Sequence, residues 1–120
     1  MYTVYGIKNC NTVKKSLDYL NQHQIPYTFH DYKKEGVTSK QLAGWAKQIG
    51  WEPLINKKGT TWRLLDETVK ASVTSQAKAL ALAKEKTSVI KRPLIEKEGI
   101  VITLGFDEAT YDGIQWSKSN

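Results

Sequence analysis

The chain predicts an α/β fold, in which a mixed four-stranded sheet is interrupted by a helical insert between a βαβ half and a ββα half. Three observations carry this. Residues 2–31 read strand, helix, strand. Residues 38–88 hold helical patterns with no strand pattern among them. Residues 94–116 read as a hairpin followed by a helix.

Taken in order, Tyr2 to Tyr5 is β-branched and aromatic, as strands prefer. Gly6 and Asn9 belong to a short loop. Val13, Leu17 and Leu20 then recur at helical spacing, with Lys14, Lys15, Asp18 and Asn21 on the opposite side. Gln24-Ile25-Pro26 breaks that helix, and Tyr27 to Asp31 alternates as a second strand. A strand, a helix of about a dozen residues and a strand make a parallel pair.

Lys33 to Gly36 reads as a polar loop, and Thr38 or Ser39 as the cap of a helix running to Ile49, with Leu42, Trp45, Ala46 and Ile49 on one face. Gly50 stops it. Residues 51–59 connect to a short helix at Thr60–Leu65 capped by a threonine, and Ser75 caps another from Gln76 to about Lys86. Leu94-Ile95-Glu96 and Ile100 to Thr103 flank Lys97-Glu98-Gly99 as a hairpin. Asp107 is the N-cap of a last helix reaching about Trp116, with Phe106 and Tyr111 at the staple positions around it. Ser117 to Asn120 reads as a frayed tail.

The length, 120 residues, suits a single domain, 1–120, with the insert at about 38–88. No apolar run approaches the ~20 residues needed to span a membrane, and no signal-peptide pattern precedes the first strand. A single cysteine forms no internal disulfide, so the cytoplasm is the expected compartment. The net charge of +6 comes from lysines spread between Lys8 and Lys118, without a nucleic-acid motif, so nucleic acid is not an expected partner. That charge suits a small anionic substrate. His23 and His30 lack ligand spacing, and no metal site is expected.

The single cysteine, Cys10, lies at the strand-to-helix junction. There a thiol meets unpaired backbone N–H groups and the positive end of the helix dipole, with Lys8, Lys14 and Lys15 adding positive charge. These favour thiolate, the nucleophilic form. A lone cysteine is equally at home as a small core hydrophobe. Asn9 and Asn11 beside it leave both readings open.

The order βαβ, helical insert, ββα is that of a thioredoxin-like domain, whose reactive cysteine follows the first strand. Three segments then resemble the ArsC/Spx family of arsenate reductase-like proteins along essentially the whole chain: Tyr5 to Lys15 around Cys10, Leu54 to Arg63, and Ile90-Lys91-Arg92-Pro93-Leu94. The YffB-like branch, proposed to hold glutathione-dependent thiol reductases, is most similar. The resemblance implies a nucleophilic Cys10, an anion-cradling loop with Thr12 and Lys14, an anion-binding Arg92, and Pro93 in the place of the thioredoxin-fold cis-proline. Lys8 joins this set as a basic neighbour of the thiol. A planar guanidinium binds a carboxylate or oxyanion in bidentate fashion, so Arg92 suits that role chemically.

Two departures matter. The resembled arsenate reductases carry two further arginines, which fall at Asn56 and near Leu104 here, and Spx regulators carry a second cysteine where this chain has Val13. The expected function is therefore a thiol oxidoreductase working through Cys10, with no bound cofactor and with glutathione or another small thiol as co-substrate. Glutaredoxin is a further expected partner. The alternatives are an Spx-like protein binding the RNA polymerase α-subunit, and a glutaredoxin-coupled arsenate reductase.

Overall fold

A computed structural model describes residues 1–118. Met1–Asp31 together with the chain from Arg92 onward forms one compact unit, and Tyr32–Lys91 forms a second, which contains the insert expected at 38–88.

The first unit is built on a mixed four-stranded sheet: β1 (Tyr2–Gly6), β2 (Tyr27–Asp31), β3 (Leu94–Lys97) and β4 (Ile100–Leu104), in the spatial order β2-β1-β3-β4. β1 and β2 run parallel, Tyr2 opposite Tyr27 and Gly6 opposite Asp31. They are joined by α1 (Asn11–Gln22), as a parallel pair requires. β1 pairs antiparallel with β3, Tyr5 opposite Leu94, and β3 with β4, Leu94 opposite Leu104. Glu98 and Gly99 close the β3–β4 hairpin at φ 53° and 81°. Two positive-φ residues match the right-handed twist of the strands, and glycine accepts that conformation without steric cost.

The expected apolar face of α1 is only part of the buried one: Val13, Ser16, Tyr19 and Leu20 are buried, and Leu17 half-buried. Tyr2, Val4, Tyr19, Leu20, Ile25, Ile95 and Tyr111 form the core around it. The last helix, α7 (Glu108–Asp112), is shorter than expected and ends at Gly113, well before Trp116. Trp116 instead turns back, its indole N–H donating to the Tyr111 carbonyl at 2.9 Å. Asp107 caps α7 by accepting from the Thr110 N–H at 3.0 Å. Phe106 and Tyr111 meet at 4.8 Å between ring centroids, the expected staple. Of the expected frayed tail, Ser117 is tied down, its N–H donating to the Tyr2 hydroxyl at 2.7 Å; Ser119 and Asn120 lie outside the described residues.

The second unit is helical: α2 (Tyr32–Glu35), α3 (Ser39–Ile49), α4 (Thr60–Arg63), α5 (Glu67–Ser72), α6 (Gln76–Glu85) and a 3₁₀ turn at Thr87–Val89. Thr38 and Gln41 make a reciprocal capping box at the start of α3. Leu42, Trp45 and Ala46 of α3, and Ala79, Leu82 and Ala83 of α6, are buried. Three expectations are corrected here. Lys33 to Gly36 is not an open loop, because α2 covers its first three residues. The residue before α4 is Gly59 rather than a threonine, and no side chain caps that helix. α5 was not expected at all.

Candidate active site

The C-terminal end of β1 sets the site, because the chain passes from Gly6 through Ile7, Lys8 and Asn9 to Cys10, the N-cap residue of α1. Cys10 has extended backbone (φ −136°, ψ 119°), and its carbonyl accepts the first helical bond, from the Lys14 N–H at 2.9 Å. Its thiol makes no capping hydrogen bond and is half-buried. It therefore stands at the mouth of a helix whose first N–H groups have no intrahelical acceptor.

The close seat of α1 on β1 depends on Gly6. A Cβ at this position would lie 2.8 Å from a Val13 methyl group and 3.6 Å from the Phe29 ring. Val13 is buried and β-branched, so its methyl has little room to swing away. The absence of a side chain at Gly6 lets the first turn of α1, and Cys10 with it, lie against the strand.

The β1–β3 register brings the second segment to the same end of the sheet. Tyr5 pairs with Leu94, the first residue of β3, so the Arg92-Pro93 segment enters the sheet at the end where β1 leaves it. Pro93 is buried, Arg92 is half-buried, and the peptide bond between them is cis. The Gly105 N–H donates to the Pro93 carbonyl at 2.7 Å, which fixes the segment from the β4 side. The chain after β1 that carries Cys10 and the Arg92-Pro93 segment before β3 thus lie at the same end of the sheet. Lys8, Thr12 and Lys14 are exposed around the cysteine.

The two arginine-deficient positions have occupations of their own. Leu104 ends β4 opposite Leu94, at the edge where Pro93 lies, and brings an apolar side chain there. In the second unit the Asn56 side chain accepts from the Lys58 N–H at 3.2 Å, and its carbonyl accepts from the Gly59 N–H at 3.2 Å, an asparagine turn.

Farther along α1, Ser16 is buried, and the sequence pattern did not mark it. The Tyr111 hydroxyl donates to the Gly105 carbonyl at 3.0 Å, so its oxygen accepts from the Ser16 hydroxyl at 2.8 Å. Burial raises the Tyr111 hydroxyl to about 12, against a smaller lowering by Ser16. Tyr19 donates to the Asp112 carboxylate at 2.6 Å, and that bond together with burial pushes it up to about 12. These bonds anchor α1 to α7 and to the residue that follows β4.

Comparison with known proteins points to one family. The ArsC family model matches residues 5–114. A Haemophilus influenzae relative, described as an uncharacterized protein, is 46% identical over 111 residues, covering 92% of this chain and 96% of its own. A solved structure named YFFB superposes with a TM-score of 0.86 at 41% identity, covering 93% of this chain and 96% of that one. An arsenate reductase (ArsC) related protein from Brucella melitensis superposes with a TM-score of 0.75 at 45% identity, covering 92% and 91%.

Proposed function

The chain belongs to the ArsC family, on its YffB-like branch, and from that membership we propose that it is a glutathione-dependent thiol reductase working through Cys10. The observation that carries this reading is the place of the chain's single cysteine. It is half-buried and sits at the N-cap of α1, just past the end of β1, and the Arg92-Pro93 segment leads into β3, the antiparallel neighbour of β1.

The chemistry divides into two exchanges. The Cys10 thiolate attacks one sulfur of a disulfide, forms a mixed disulfide and expels the other half as a thiolate, which takes a proton from solvent. A glutathione thiolate then attacks the substrate sulfur of the mixed disulfide and returns Cys10 as thiolate. A second glutathione reduces the released mixed disulfide to free thiol and oxidised glutathione, which balances the electrons. Resolution must come from outside, because Val13 stands where a second cysteine would close an internal bond. In this reading Arg92 pairs with a glutathione carboxylate, and Thr12, Lys14 and Lys8 hold negative charge beside the thiol.

Incubation with oxidised glutathione should add one group of about 305 Da by intact mass, at Cys10. Cys10→Ser should abolish the adduct. Arg92→Ala should weaken glutathione binding by roughly 1–3 kcal/mol, the range for a hydrogen bond to a charged group, and lysine there should rescue only part, since it keeps charge and loses the fork. An adduct that forms no faster than on the unfolded chain would defeat the reading. Full adduct formation by Arg92→Ala would leave Cys10 in place and remove Arg92 from the site.

A further inference from the structure

A groove of about 310 Å³ opens in the first unit beside α1, lined by Lys8, Lys14, Leu17, Asp18, Asn21, Tyr27, Phe29 and the edge of Val13. Resting on the reading of Cys10 given above, we propose that this groove binds one half of the disulfide substrate, and that this half is an amphipathic carboxylate: a thiol compound with an anionic group and an aromatic or branched apolar body.

The topology gives the groove its place. β1 lies between β2 and β3, and Cys10 follows β1. The Arg92-Pro93 segment precedes β3, on one side of β1. The groove has walls from α1 and from β2, on the other side. A disulfide attacked at Cys10 has two halves, and the sheet order offers each a different flank.

Its length and chemistry give the class of ligand. Lys14, Leu17, Asp18 and Asn21 recur every three to four residues along one face of α1 and span ~10 Å. Tyr27 and Phe29 are two apart on β2 and so point to the same side of the strand. The cations come from the Cys10 end: Lys8 two residues before it and Lys14 four residues after. Both are exposed, and among the described residues neither takes part in an ion pair. The middle is apolar, with Leu17, Tyr27 and Phe29 half-buried. Asp18 and Asn21, farther along α1, supply a carboxylate and an amide for a donor group. Two lysines against one aspartate favour an anion at the cysteine-proximal end, and the aromatic wall favours a flat or branched body behind it.

The first test needs no thiol chemistry. Cys10→Ser protein is titrated with 3-phenylpropionate and with its charge-reversed counterpart 3-phenylpropylamine, and backbone amide shifts are followed. The carboxylate should give saturable shifts within Lys14–Asn21 and Tyr27–Phe29 and should bind at least tenfold more tightly than the amine. The Lys8→Gln/Lys14→Gln double variant should lose that discrimination. Equal binding of the two, or shifts confined to other segments, overturns the proposal. The second test uses the wild-type thiol with 5,5′-dithiobis(2-nitrobenzoate), whose attack by Cys10 releases one coloured thiolate. The rate should saturate with probe concentration, and 3-phenylpropionate should compete. A Cys10 that reacts while the groove binds nothing overturns the groove alone. A groove that binds the carboxylate beside an unreactive Cys10 overturns the thiol reading and the substrate role together.

Discussion

Asn56 and Leu104 stand where the resemblance to arsenate reductases leads one to expect arginines. The Asn56 carboxamide is engaged by the Lys58 N–H, and Leu104 brings an apolar side chain to the Pro93 edge. Neither offers a guanidinium to an oxyanion, and electrostatic donors aimed at developing charge each matter by ~10²–10³ in rate. Arsenate turnover in a glutaredoxin-coupled assay is therefore expected to fall at least ~10²-fold below that of a reductase carrying both arginines. Comparable turnover would return arsenate to the list of substrates. Asn56→Ala should cost about 0.5–1.5 kcal/mol in denaturant unfolding through the lost turn bond. At this scale Cys10 was legible, because strand and helix patterns meet at it. The part Asn56 plays was written in its own turn, Asn56 to Gly59, yet comparison by family position reads it only as a missing arginine. Ser16 had no signal, since nothing in a helical period marks a serine for burial.

Among the elements, the contact of α1 with β1 through Gly6 is the one on which the site rests. Gly6→Ala places a methyl 2.8 Å from Val13, inside contact distance of a stiff buried side chain. Overpacking of this kind costs ~1–3 kcal/mol. Gly6→Ala should therefore lower the denaturant midpoint and also change the reactivity of Cys10, four residues on. Val13→Ala vacates the same space, so the double variant should be more stable than the two single costs predict, by ~0.5–3 kcal/mol in a mutant cycle. Strict additivity would mean that the Val13 methyl is not the source of the Gly6→Ala cost. Elements of ten residues or more, such as α1, α3 and α6, were read close to their observed bounds because two turns or more make a period visible. α2 and α5 span four and six residues, too few for a period, and depend on packing rather than propensity, whereas α4 was read although it ends at Arg63. Two of the three strand pairings followed from the connections, since a helical crossover makes β1 and β2 parallel and a short turn makes β3 and β4 antiparallel, while the β1–β3 pairing between them had no local signal. The overrun of α7 came from Ile114 and Trp116, whose apolar spacing after Tyr111 imitates one more helical turn, while Gly113 ends the helix before it forms.

For the molecule as a whole, the first unit is made from two distant stretches of chain, and side-chain bonds tie them together. Ser16 to Tyr111, Tyr19 to Asp112 and Ser117 to Tyr2 each join the N-terminal stretch to the C-terminal one. Two of these ties carry a phenol whose folded pKa stands near 12 against an ordinary value of 10. Below pH 10 both phenols are protonated whether the chain is folded or not, and their contribution to stability is complete. Between pH 10 and 12 the unfolded chain loses these protons first, so stability falls with rising pH and the loss levels off above 12. For the fully buried Tyr111, one pKa unit is about 1.36 kcal/mol, so its share of the loss is roughly 2–3 kcal/mol. Tyr111→Phe separates this share from every other alkaline effect. At pH 8 the variant should be less stable than wild type by ~1–3 kcal/mol, because the Gly105 carbonyl loses a donor and the Ser16 hydroxyl an acceptor. Above pH 12 that gap should close or reverse, because phenylalanine has no proton to lose. Unfolding by denaturant at a series of pH values between 8 and 12.5 measures both limbs. A gap of constant size across the range would mean that Tyr111 ionises as readily in the fold as in the open chain, and that the anchor between α1 and α7 bears no part of the alkaline limit.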